Sequence, residues 1–192
     1  VRLGALVSGR GSNLEAVLAA ALPGIDPVLV ISNRAGVPAL TVAARHDVPA
    51  RVMARSSFGG DASLRDGAIG DALTAESVEL VLLAGYDQIL RPSYFAAYRG
   101  RTINIHPSLL PAHAGMAGLA VHRSVLAAGD GESGVTIHEV TADVDAGPIL
   151  AQSRVAVLAG DDATMLAARV LDEEHRLLVS FLAEISVGAG RA

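Results

Sequence analysis

Asn104 and His106 stand on alternate positions at the end of an apolar run and are followed by Pro107-Ser108-Leu109-Leu110-Pro111. Residues i and i+2 of a strand point to one face, so the amide and the imidazole would project side by side. An amide N–H can stabilise an oxyanion and an imidazole can move a proton, a pairing that suits acyl transfer. A carboxylate beside the ring would favour the imidazolium and raise the His106 pKa. Asp145 is the best-placed acid, in a turn-forming run with Ala146-Gly147-Pro148. Asp143 is the near alternative, and spacing does not choose between them. An isolated Asn-x-His pair usually does no more than satisfy loop backbone. The whole octapeptide together with the acidic turn argues for chemistry.

A second candidate is Ser8-Gly9-Arg10-Gly11-Ser12-Asn13, placed between the first apolar run and the first helical pattern. Glycines let backbone approach an anion, and a helix N-terminus supplies unpaired N–H donors. No Gly-Lys-Ser/Thr follows, and Leu14 occupies the third glycine position of a dinucleotide fingerprint. A loop this short fits one phosphate monoester. A tight turn with Ser12 as an ordinary N-cap accounts for the residues equally well.

The other histidines form no zinc spacing with His106. His138 would either face the site with Thr136 or lie quietly in the sheet. His122 and His138 are expected as outer residues of the site at most, and His46 and His175 as structural. No metal is called for.

These groups need a scaffold, and the apolar pattern supplies one. Strand-like runs at Leu3–Val7, Pro27–Ile31, Arg51–Met53, Val78–Ala84 and Thr102–His106 alternate with helical patterns at Ser12–Ala21, Val37–His46, Ser63–Glu76 and Tyr94–Tyr98. Such alternation implies parallel strands joined by crossovers. Val78–Ala84 is the most apolar run and reads as a central strand buried on both faces. Val135–Val140 and Ile149–Val157 have no helix between them, so that half is expected to be antiparallel or to carry a long loop. A last helix runs from Asp161, with Asp161 or Asp162 as its cap, to about Ile185; Val187–Ala192 reads as a frayed tail. The fold class is α/β: a Rossmann-like doubly wound sheet, parallel in its N-terminal half, with antiparallel strands in its C-terminal half.

The chain has 192 residues, 51% of them hydrophobic and only 3% aromatic, so its core is expected to be Val, Leu, Ile and Ala in one domain. A net charge of −5 argues against a nucleic-acid surface. The absence of cysteine removes thiol nucleophiles, thiolate metal sites and disulfides. No run approaches the ~20 apolar residues of a membrane span, and Val1–Val7 is too short for a signal peptide. A cytoplasmic protein acting on small molecules is expected, without a membrane or nucleic-acid partner. Its apolar faces leave room for a homodimer.

The octapeptide and the glycine loop together resemble the 10-formyltetrahydrofolate-dependent formyltransferases, with a likeness running from residue 1 to about residue 180. The resemblance implies transfer of a formyl group from 10-formyltetrahydrofolate, as co-substrate, to the amine of a phosphoribosyl compound in purine synthesis, without a metal. It places the catalytic roles on Asn104, His106 and Asp145 and the ribonucleotide on Gly11, Ser12, Asn13 and Glu174. Folate falls against Asp87, Gln88, Ile89 and Leu90, Asn104, and the loop Thr141, Ala142, Asp143, Val144 and Asp145. Residues 1–100 would form the phosphate-binding half and residues 101–192 the formyl and folate half.

The Leu110-Pro111 bond is expected to be cis. Relatives often carry an apolar residue and arginine where this chain has Asp87 and Gln88, and an arginine at Ala62, so the folate's acidic tail is expected to be held differently. Gly115-Met116-Ala117-Gly118 lengthens the loop Ala112–Val121 into a candidate flap. A formyl-tRNA enzyme would need a further basic domain, and a formyltetrahydrofolate hydrolase an N-terminal regulatory domain and no phosphate loop. A folate or nucleotide sensor would need none of Asn104, His106 and Asp145.

Overall fold

Alternation along each strand decides which layer a residue joins. In β1 (Arg2–Val7), Leu3, Ala5 and Val7 point into one apolar cluster and Leu6 into another. In β4 (Leu80–Leu83), Leu80 and Leu82 divide from Val81 and Leu83 in the same way, and all four are buried. That is the signature of a strand covered on both faces. The computed structural model describes residues 1–189, and the side chains of residues 1–188.

Among them, one seven-stranded sheet runs in the order β3-β2-β1-β4-β5-β6-β7. The remaining strands are β2 (Asp26–Ser32), β3 (Ala50–Val52), β5 (Arg101–His106), β6 (Glu132–Glu139) and β7 (Ile149–Ala156). The first five are parallel; β6 is antiparallel to β5, and β7 to β6. The expected change of direction in the C-terminal half is therefore present.

On one face lie α1 (Ser12–Ala19), α2 (Pro38–Arg45), α5 (Leu119–Ala128) and α6 (Ala163–Ala189). Leu14 and Val17, Val42, Val125, and Leu166, Val170 and Leu178 carry their contacts to that cluster. The opposite face is covered by α3 (Ala62–Ala75) and α4 (Pro92–Ala97), through Ile69, Leu73 and Tyr94. Neighbouring β1 and β4 are the point where the strand order reverses, which in open parallel sheets leaves a crevice at the strands' C-terminal ends. The glycine loop leaves β1 and the Asp87–Leu90 segment leaves β4 at that crevice. Ser8 Oγ accepts the Asp87 N–H at 2.9 Å, joining the two.

Two expectations need correction, and one pair of alternatives is resolved. The helix α5 is an element the sequence pattern does not announce, because Gly118 precedes it and offers no side-chain cap. Of the two caps expected for α6, Asp162 serves, accepting the N–H groups of Thr164 and Met165, each at 2.8 Å, while Asp161 pairs with Arg169. The expected tail begins too early: residues 187–189 continue α6, and residues 190–192 lie outside the described residues. No helix among the described residues is long and apolar enough to cross a membrane.

Candidate active site

Asn104 and His106 share the face of β5 that also carries Thr102, whose hydroxyl meets the Tyr94 hydroxyl at 2.8 Å. The antiparallel partner β6 sets His138 opposite Asn104 and Thr136 opposite His106. Side chains directly opposed across a ladder are within contact range. Pairing of β5 with β6 therefore brings a second imidazole to the site without any special loop.

The acid arrives from the connection between β6 and β7. Asp145 Oδ2 lies 3.5 Å from His106 Nδ1, and Oδ1 lies 3.5 Å from His138 Nε2. Asp143 is exposed, so the structure chooses Asp145 where spacing could not. Asp145 adopts a left-handed backbone with φ of 52°, a conformation that aspartate tolerates at a cost on the order of 1 kcal/mol. Gly147 fixes the approach, since a Cβ there would fall 1.9 Å from the Glu139 carbonyl oxygen. We expect Gly147→Ala to push the acid off the histidines and lower kcat about tenfold, measured beside circular dichroism of the folded variant. An unchanged kcat would mean the loop absorbs a methyl without moving Asp145.

Electrostatics corrects the expectation for His106. Its ring is 4% exposed, and burial pushes its pKa below the ordinary 6.5 although Asp145 pulls the other way. Desolvation of the cation outweighs the nearby carboxylate, so the balance is tilted toward the neutral ring. Nδ1 faces Asp145, and the buried Nε2 has no hydrogen-bond partner among the described residues. Asp145 is held below the usual carboxylate range by hydrogen bonding to His138, then by the Gly115 N–H at 2.9 Å and the charge of His106, against burial. The candidate flap is thus joined to the acid through Gly115.

His138 belongs to the site more directly than its sequence suggested. Its Nδ1 meets the Glu139 carbonyl at 2.9 Å, and its Nε2 faces both Asp145 Oδ1 at 3.5 Å and Asn104 Nδ2, which it meets in a hydrogen bond of 3.1 Å. That bond orients the amide and leaves its second N–H available. His122 is buried on α5 with Nδ1 unpaired, and among the described residues no hydrogen bond joins it to the trio. The Leu110–Pro111 peptide is cis, as expected.

At the other end of the crevice, Gly11 rather than Ser12 holds the N-cap position of α1, with φ of 79° and no side-chain cap. A Cβ on Gly11 would lie 2.7 Å from the Ala39 Cα, so glycine is required for α2 to pack there. Asn13 Nδ2 donates to Glu174 Oε2 at 2.8 Å, bringing α6 to the glycine loop. Burial pushes the Glu174 carboxyl up to about 7, against the Asn13 hydrogen bond and the charge of Arg10.

Asp87 and Gln88 are occupied within the protein: Asp87 is bound by Arg34 and by Asn33 at 2.8 Å, and Gln88 by Arg65 at 3.2 Å. Ile89 is exposed and Leu90 sits in the core. Thr141, Ala142 and Val144 lie on the exposed rim beside Asp145. Among the described residues no three His, Asp or Glu side chains are gathered as a metal site.

Residues 1–182 match the family model described as formyl transferase. The chain belongs to the formyl transferase family. A phosphoribosylglycinamide formyltransferase of Haemophilus influenzae is 36% identical over 179 residues, covering 92% of this chain and 82% of that protein. The trifunctional purine biosynthetic protein adenosine-3 of Gallus gallus is 38% identical over 98% of this chain, which spans only 19% of that longer protein. The crystal structure of glycinamide ribonucleotide transformylase 1 from Symbiobacterium toebii superposes with a TM-score of 0.90 at 39% identity, covering 98% of this chain and 88% of that one. The formyl transferase fold accounts for the mixed sheet and for the meeting of the β1 and β4 loops at one crevice.

Proposed function

We propose that this chain transfers a formyl group from 10-formyltetrahydrofolate to the amine of 5-phosphoribosylglycinamide, a step of purine synthesis. The observation that carries the reading is the convergence of Asn104, His106 and Asp145 at the end of β5, in the same sheet whose β1 runs into the glycine loop. In this reading one domain divides its work: residues 1–100 supply the phosphate loop, and residues 101–192 supply the reacting groups.

The free Asn104 N–H points its dipole at the formyl oxygen. As the substrate amine attacks the formyl carbon, the neutral His106 ring accepts the amine's proton on Nε2. The imidazolium so formed lies beside Asp145 and donates to the oxyanion. Collapse of the tetrahedral adduct breaks the bond from the formyl carbon to folate N10, which takes the proton from His106. Because the folded His106 pKa lies below 6.5, kcat falls as pH drops through that lowered value and is level above it.

Gly11, Ser12 and Asn13 take the phosphate, and Glu174 accepts from the sugar hydroxyls. Raised from 4.5 to about 7, Glu174 contributes stability that is complete below its unfolded pKa and is lost as pH rises through about 7. We therefore expect Glu174→Gln to melt higher than the parent at pH 8 and level with it at pH 4. Equal gaps at both pH values in calorimetry would mean that burial does not strain the carboxylate.

The reaction itself is tested by following deformylated folate by absorbance, with and without the ribonucleotide. Product only when both substrates are present supports transfer. Deformylation without the amine would mean hydrolysis, and tight binding with no reaction would mean a sensor; either overturns the proposal.

A further inference from the structure

Beneath Asp87–Leu90 lies a charged pair that the proposed chemistry does not touch. Arg65 and Asp66 of α3 are 2% and 0% exposed. Arg65 Nε–H donates to Asp66 Oδ1 at 2.8 Å, with Nη2 2.7 Å from the same oxygen. A buried ion pair contributes little net stability compared with apolar residues of similar volume, so what it supplies here is better sought in its outward bonds.

Both members reach one loop. Arg65 Nη1 donates to Gln88 Oε1 at 3.2 Å, and Asp66 Oδ2 accepts the Arg91 backbone N–H at 3.0 Å. The loop is therefore fixed from below at two positions three residues apart. Its own side chains complete the lattice, since Gln88 Nε2 donates to Asp87 Oδ1 at 2.9 Å and Asp87 is held by Asn33 and Arg34. With the Asp87 and Gln88 side chains occupied by one another, polar recognition by Asp87–Leu90 falls to the remaining backbone N–H and C=O groups. Backbone can read the donor and acceptor edge of a nitrogen heterocycle only if it is held in a fixed register.

We propose that Arg65 and Asp66 are positioning residues for the folate co-substrate, holding the backbone of Asp87–Arg91 in the register that reads its pteridine edge. The inference rests on the reaction proposed above and adds to it a specificity device in α3. It also accounts for a chain with Asp87 and Gln88 at these positions: Gln88 supplies the acceptor that the buried guanidinium needs, and Asp87 supplies the acceptor for Gln88.

The test replaces the pair by apolar residues of similar volume, Arg65→Met with Asp66→Leu, and checks the fold by circular dichroism and thermal midpoint. The KM for 10-formyltetrahydrofolate is expected to rise about tenfold, while the ribonucleotide KM and kcat at saturating folate stay within about twofold. A purely structural pair would leave the two KM values unchanged or move them together, and either result overturns the proposal. Should the double variant not fold, Arg65→Lys keeps a cation beside Asp66 but has no fork to span Asp66 and Gln88. It is expected to give the same split at about threefold, and an unchanged folate KM would again overturn it. Titration of the folate by intrinsic fluorescence, without ribonucleotide, separates this inference from the reaction. Weakened folate binding in the variant supports the positioning role even if the parent transfers no formyl group, and undiminished binding refutes it.

Discussion

His106→Ala is expected to lower kcat by about 1000-fold, with the KM of each substrate within about threefold of the parent. The ring sits on β5 between a half-buried amide and a carboxylate 3.5 Å from its Nδ1. In the proposed step it takes a proton from the attacking amine and returns it to the leaving nitrogen. Alanine removes both transfers and the cationic donor to the oxyanion, none of which exists in the ground-state complex. The loss therefore belongs in kcat. Steady-state rates with each substrate varied in turn make the check. A variant with near-native kcat would remove His106 from the chemistry.

Asp145→Asn is expected to lower kcat about 100-fold or more and to move the acid limb of the pH profile downward. The substitution keeps the size of the side chain, and asparagine tolerates the left-handed backbone at this position. What it deletes is the charge that opposes burial at His106. Without it the His106 pKa falls further, so the neutral ring persists to lower pH but forms an uncompensated cation in the transition state. A parallel fall in kcat with no shift of the acid limb would mean that Asp145 acts on something other than His106.

The residues proposed for the chemistry are legible where spacing alone settles geometry. Asn104 and His106 follow from period two in a strand, and the parallel-to-antiparallel change follows from the missing helix before Ile149. The preference for Asp145 over Asp143 depended on the resemblance, because its physical basis is the approach of Gly147 to Glu139, a contact between distant segments. His138 was undervalued for the same reason: only the β5–β6 register sets it opposite Asn104. The sign of the His106 shift was misread because the sequence displays the acid but not the depth of burial. Arg65 and Asp66 lie inside a helical pattern, and only the fold of the loop after β4 shows what they bind.

Direct formyl transfer through His106 is best tested by giving the chain a folate carrying a 13C-labelled formyl group together with phosphoribosylglycinamide and following the label by NMR. The label is expected to move directly to the substrate nitrogen, with no free formate, and His106→Ala to slow this transfer about 1000-fold. Label appearing as formate at the parent's full rate, or transfer undiminished in His106→Ala, would contradict it.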